Sequence, residues 1–245
     1  MIAILSALAE EQAGLVECMT RVECVEHAGR TFWLGHLDGQ EVVLTLSRIG
    51  KVAAALTATA LIAKWGVQRM VFTGVAGGTG PGVAVGDVVV GSHYLQHDMD
   101  ASPLFPRYEI PLTGQSLFPA NPLLLEAACA AVREVQLDLR GGRYRADLHC
   151  GLIASGDRFV SASSEVHALL ADAAASGFHP LAVEMEGAAV AQVCHGFTLP
   201  FTIIRTVSDR ADEAAPMDFG RFIAEVASPR SLAIVEALLR ARPSR

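Results

Sequence analysis

Apolar positions along this chain fall into short blocks, broken by polar or glycine-rich stretches, that alternate between strand-like and helix-like spacing. Residues 2–6 form a continuous apolar run, the mark of a strand buried on both faces. The pattern that follows predicts a helix over residues 9–20. Runs at 31–37 and 41–46 flank Asp38-Gly39, a pair that favours a tight hairpin turn. Residues 50–65 (GKVAAALTATALIAKW) are rich in Ala and Leu and predict a helix. A strand at 70–73 leads into the glycine-rich stretch 74–82, read as a loop, and a strand resumes at 87–90. Residues 102–122 hold Pro103, Pro106, Pro111, Pro119 and Pro122, so a long loop is expected there. Beyond it the pattern predicts helix at 121–135, strand at 151–155, helix at 163–174, strand at 181–183, helix at 186–195 and strand at 201–207. The tail, 218–240, reads as helix, kinked or split at Pro229.

Strands alternating with helices imply an α/β fold with a mostly parallel sheet sandwiched between helices. No repeat, low-complexity segment or composition break divides the chain, so one domain is expected over residues 1–245. In such folds ligands gather at the carboxyl ends of strands. Three predicted strand ends carry polar or glycine-rich residues: Thr73-Gly74 onward, Val183-Glu184-Met185-Glu186, and Val207-Ser208-Asp209.

Composition narrows the classes. Hydrophobic residues make up 51% of the chain and charged ones 18%, enough for a large core, while the net charge of −7 leaves no basic stripe for nucleic acid. Cys18, Cys24, Cys129, Cys150 and Cys194 are odd in number and contain no CxxC pair, so reduced thiols are expected rather than a zinc site or a disulfide framework. The opening residues lack a signal-peptide pattern, and no run approaches the ~18 apolar residues of a membrane span. A cytoplasmic protein without a membrane partner is the expectation.

Common nucleotide and hydrolase motifs fail. The 74–82 stretch lacks GxGxxG spacing, and Ser47-Arg48-Ile49-Gly50-Lys51 has Val52 where a P-loop needs Ser or Thr. Neither HExxH nor GxSxG occurs, and Ser155-Gly156-Asp157 lacks the spacing of a nucleophile elbow. His97-Asp98-Met99-Asp100 has no further ligand at metal spacing, so no metal and no cofactor are expected.

Three features together carry chemistry: the pair Glu10-Glu11 after the first strand, Val183–Gly187 where a strand becomes a helix, and Arg205–Asp209 ending a buried strand. Taken singly, each acid has an ordinary structural role, as a helix-terminal charge or a cap. Glu186 and Asp209 are separated by about one helix and one returning strand, which brings them to the same sheet edge. The blocks AILSALAEEQ, SRIGKVAAAL, FTGVAGGTGPGVAVGDVVV, CGLIASGDRFV, VEMEGAAVAQVCH and IIRTVSDRAD, in this order, resemble the nucleoside phosphorylase/nucleosidase superfamily, nearest its methylthioadenosine/S-adenosylhomocysteine nucleosidase branch.

That resemblance implies a single three-layer α/β/α domain on a twisted, mostly parallel mixed sheet. It also implies cleavage of the N-glycosidic bond of a small-molecule adenine nucleoside, and a homodimer. Asp209 matches the residue that protonates N7 of the purine, general-acid help worth roughly 10²–10⁴ in rate. Glu186 matches the carboxylate that binds the ribose hydroxyls and faces a developing cation. Glu11 matches the base that activates water, with Glu10 one residue away as the alternative. Phe159 matches the aromatic that stacks on adenine, Val160 offers its backbone to the base, and Ser208 sits beside the acid. Met185, Ile49, Phe219 and Leu8 match walls around the sugar and the thioalkyl group. Ala76, Gly77 and Arg205 are further substrate-contact candidates. Phe105, in the 97–111 loop, stands where the family closes the 5′ pocket, often from the partner subunit. Val75 departs from the pattern, standing where the family commonly has a hydroxyl residue. A phosphorylase of the same superfamily, with Arg48 as phosphate ligand, and a non-catalytic nucleoside-binding protein remain the alternatives.

Overall fold

A computed structural model describes residues 1–138, 146–210 and 219–241. Strand β1 (Ile2–Ser6) is buried along its whole length and pairs in parallel with both β4 (Gln40–Leu46) and β5 (Arg69–Gly78). β3 (Arg30–Leu37) and β4 form the expected hairpin. Asp38 and Gly39 both take positive φ, 48° and 74°, as a two-residue turn of the twist-matched type demands.

The helix expected at 9–20 does not form. Gly14 turns left-handed at φ 86°, and the segment closes instead mainly through i to i+3 bonds, with a single 3₁₀ turn at Glu10–Gln12. Its end is strand β2 (Thr20–His27), which pairs antiparallel with β3 and lies mostly exposed. The stretch 74–82 is likewise no loop through its first half, because β5 continues to Gly78.

Beyond β5 come β6 (Val88–Gln96), β7 (Leu117–Pro119) inside the proline-rich segment, β8 (Leu148–Ser155), β9 (Pro180–Glu184) and β10 (Phe201–Asp209). The order β10-β6-β8-β9-β5-β1-β4-β3-β2 includes a further pairing of β10 with β5, so five strands close into a ring from which β1 to β4 extend as a wing. Parallel ladders dominate around β1, β5 and β8, and antiparallel ones join β5 to β9 and β6 to β10.

Helices α1 (Lys51–Trp65), α2 (Pro122–Asp138), α3 (Ser163–Ala175), α4 (Gly187–Gly196), α5 (Phe219–Phe222) and α6 (Ser228–Arg240) supply the outer layers. α1 packs on α4, and α2 on α6. Two buried clusters result: one joins Ala54, Ala58 and Leu61 of α1 to Val190 and Cys194 of α4, and the other joins Ala128 and Val132 of α2 to Ile234 and Leu238 of α6. Pro229 sits in the first turn of α6, where its missing N–H costs nothing, and a π-turn at Ile223–Ala227 separates α6 from α5. Asp218, where the tail helix was expected to begin, and Ala211 and Asp212 of the last motif lie outside the described residues.

Candidate active site

The chain segments that leave β1, β4, β8 and β9, together with the ends of β5 and β10, converge on one cleft of about 690 Å³ counting its open mouth. Its walls are largely apolar; Glu184 forms part of them, and the three carboxylates expected there, Glu11, Glu186 and Asp209, reach into the cleft. Each is nearly fully buried, at 4%, 5% and 8% exposure, so none is an ordinary solvated surface acid.

Glu11 owes its position to the break in the expected helix. The 3₁₀ turn points its side chain back under the chain, where Oε2 accepts hydrogen bonds from the Ala7 and Leu8 amides at 2.8 and 2.9 Å and Oε1 accepts from the Val75 amide at 3.0 Å. Glu10, one residue earlier, is exposed. Burial pushes the Glu11 pKa up, against the Arg205 charge and the three amides, which favour the carboxylate. Val75 has no hydroxyl, but its backbone N–H still binds this carboxylate.

Glu186 stands at the N-cap of α4 without capping it. Its Oε1 instead accepts from the Gly50 amide at the start of α1, 2.8 Å away. Lys51 N–H donates to Asp157 Oδ1 at 2.7 Å, so two carboxylates from distant segments satisfy the first amides of α1. Burial and the neighbouring Glu184 push the Glu186 pKa up to about 8, against Arg205 and the Gly50 amide.

Glu184, for which the sequence offered no role, occupies the centre of the network. It accepts from the Ser155 hydroxyl, from the Gly187 amide at 2.9 Å and from Arg205 Nη2 at 2.6 Å. Arg205 is 1% exposed and lies 4.2 Å over the Phe72 ring. Burial works against its charge, but Glu184, Glu186 and Glu11 together hold its pKa above the ordinary value. Arg205 therefore stands behind the cleft wall instead of lining it, which corrects its assignment as a substrate contact. The strand period contained a signal for Glu184: residues two apart on an extended chain point to one side, so Glu184 and Glu186 were a candidate pair.

Asp209 ends β10, and the Ser208 hydroxyl donates to its Oδ2 at 2.6 Å. Opposite, Phe159 is 48% exposed and meets Phe219 edge-on at 6.4 Å between ring centroids. Ile49, 54% exposed, stands at the mouth. An aromatic and a branched aliphatic open over buried acids suit a ligand that combines an apolar face with polar groups. Leu8, Ala76, Gly77, Val160 and Met185 complete the expected lining. Val75, Val183 and Glu184 line it too, as do Ala7 and Arg158, which the sequence had not singled out. Phe105 does not line the cleft of its own chain; its loop is held against α3 by Arg107–Asp172 at 2.8 Å. Among the described residues, no group of three or more His, Cys, Asp or Glu is arranged to hold a metal ion, and no helix is long and apolar enough to cross a membrane.

A family model described as the phosphorylase superfamily matches residues 1–240. A 5′-methylthioadenosine/S-adenosylhomocysteine nucleosidase of Shewanella loihica is 36% identical over 240 residues, covering 97% of this chain and 98% of that protein. Among solved structures, the nucleosidase of that name from Neisseria meningitidis, in complex with methylthio-immucillin-A, superposes with a TM-score of 0.88 at 36% identity and covers 98% of this chain and 99% of its own. The Colwellia psychrerythraea nucleosidase, in complex with adenine, gives 0.89 at 34% identity, covering 100% and 96%.

Proposed function

The chain belongs to the phosphorylase superfamily, and on that premise we propose that it hydrolyses the N-glycosidic bond of 5′-methylthioadenosine and S-adenosylhomocysteine, releasing adenine and a 5-thio-substituted ribose. The observation that carries this reading is the meeting of Glu11, Glu186 and Asp209 in one apolar-walled cleft. Adenine lies against Phe159 with Val160 along its edge. Asp209 gives a proton to N7, held in place through its other oxygen by Ser208. As the C–N bond breaks, positive charge develops on the ribosyl ring beside Glu186, whose buried carboxyl group ionises more readily as that charge builds. Glu11 takes a proton from the attacking water. Its burial makes it a better base than a surface glutamate, while three amides keep the ionised form accessible. Water adds to the anomeric carbon, adenine leaves with the proton from Asp209, and the balance closes without a cofactor.

Water is favoured over phosphate by the state of the nearby cations. Phosphorolysis needs a cationic cradle. Arg158, which lines the cleft, is paired with Glu165; Arg205 is committed to Glu184; and Arg48 donates to the Gly29 carbonyl. The thioalkyl group lies toward Ile49, Leu8 and Phe219. As part of the same proposal, the one-domain chain pairs as a homodimer through the exposed apolar residues Val52, Leu56 and Phe197 beside the α1–α4 contact, and the 97–111 loop with Phe105 closes the partner's cleft. Five free thiols, three of them exposed, suit the reducing cytoplasm.

Adenine release from methylthioadenosine in phosphate-free buffer tests the reading. Release with free methylthioribose is expected. Release only when phosphate is added makes the protein a phosphorylase, and no release with either points to another nucleoside or to a protein that binds without reacting.

A further inference from the structure

Helix α4 begins at the edge of the cleft, and its N-terminal amides are satisfied in an unusual way. The N-cap residue, Glu186, sends its carboxylate across to α1. The amides it leaves are taken up from the preceding strands: Gly187 N–H donates to Glu184 at 2.9 Å, and Ala188 N–H donates to Ser155 Oγ at 2.7 Å. The Ser155 hydroxyl donates in turn to Glu184 Oε1, while Arg205 donates to Oε2 through Nη2 at 2.6 Å and Nε at 3.2 Å. One carboxylate from β9 thus replaces the cap of α4 and holds the guanidinium that faces Glu11.

We propose that Glu184 is the positioning residue of this site: by capping α4 in place of Glu186 and holding Arg205, it frees the Glu186 carboxylate for the cleft and places a positive charge behind Glu11. Glu184 and Glu186, two residues apart, repel each other, and the Arg205 charge offsets part of that repulsion. Around Glu184 are Arg205 on β10, Glu186 at the start of α4, Glu11 beyond the guanidinium, Tyr94 on β6 and His97 just after it. Ser155 and Arg205 can be satisfied by a glutamine in this position, but its neutral amide cannot hold Arg205 equally or repel Glu186.

The inference rests on the nucleosidase reading, and two variants of the full-length enzyme test it by adenine release across pH, with thermal unfolding as the check on the fold. In Glu184→Gln we expect kcat to fall by about 10–100-fold, the range usual when a hydrogen-bond partner of a site ligand is lost. The acidic limb of kcat/KM also moves to lower pH, since Glu186 ionises more readily once the neighbouring charge of Glu184 is gone. Glu184→Asp keeps the charge but withdraws it by one methylene, so kcat falls while the limb stays in place. A wild-type enzyme that releases no adenine overturns the nucleosidase reading and this inference with it. An active wild type matched by Glu184→Gln in kcat and in its acidic limb overturns the inference alone, as does a loss of kcat with the limb unmoved. Should Glu184→Gln not fold, wild-type kcat in Glu184→Asp overturns it.

Discussion

Strand β5 crosses the site at Gly74, where there is no room for a side chain. A methyl group on that residue would lie 2.7 Å from Glu11 Oε1 and 2.9 Å from Arg205 Nη1. Neither neighbour swings freely: Glu11 is held by three backbone amides and Arg205 by Glu184. Ordinary contact starts at 3.4 Å, so in Gly74→Ala the Glu11 carboxylate must retreat by about 0.7 Å, the gap between 2.7 and 3.4 Å. A misplacement approaching 1 Å costs on the order of 10²-fold in rate, or ~2.7 kcal/mol. Overpacking a buried site costs about 1–3 kcal/mol of stability, and each kcal/mol lowers Tm by roughly 2–4 °C at this chain length. We predict a folded enzyme with reduced Tm and kcat/KM for adenine release down by about two orders of magnitude. Turnover within threefold of wild type would show that Glu11 and Arg205 need not be held where they are, and would refute the geometric account of the base.

Further predictions concern single groups. Asp209→Asn should lose about 10²–10⁴ in kcat with Tm unchanged, because the isostere fills the same space beside Ser208; near-normal turnover removes Asp209 as the acid. Glu11→Gln should bind methylthioadenosine in a calorimeter yet fail to release adenine, while Glu10→Gln turns over normally; the reverse result moves the base to the exposed residue. Phe159→Ala should raise KM by about 5–150-fold, the range for losing base–aromatic stacking of ~1–3 kcal/mol; an unchanged KM places the base elsewhere. Glu186 has a folded-state pKa above its ordinary value, so its proton is bound more tightly in the folded than in the unfolded chain. The stability this contributes is complete below the ordinary carboxylate range and is lost as pH rises through about 8. Tm should therefore decline toward alkaline pH, and Glu186→Gln should flatten that decline; parallel curves would contradict the shift.

Much of this was legible in the chain because its local signals agreed with one another. The hairpin at Asp38-Gly39, the all-buried β1 and β10, and α1 ending at Trp65 all appear where hydrophobic period and turn chemistry place them. Errors arose where tertiary demands overrode local pattern. Residues 9–20 carry helical spacing, yet the backbone must turn at Gly14 to bring Glu11 under the sheet. β2 escaped notice because its exposed faces hold charged residues, leaving little apolar alternation. The glycines after Thr73 resemble a loop, yet Gly74 is a strand residue whose missing side chain makes space for two charged neighbours. Arg205 shows a related limit: chain order brings it near the chemistry, but only the fold reveals that it stands behind the wall.

The ring of five strands has a consequence for the order of events during biosynthesis. Its closing member, β10, bonds to β5 on one side and β6 on the other, yet it lies more than 120 residues after β5 begins. Such distant pairing carries a high loop-closure cost and makes assembly slow. The wing and the first helix can form while translation continues, but Asp209 at the end of β10 meets Glu11 near the amino terminus only when that last strand enters. A nascent chain halted before Phe201 therefore carries Glu11 and Glu186 without Asp209, and its cleft lacks the wall that β10 supplies.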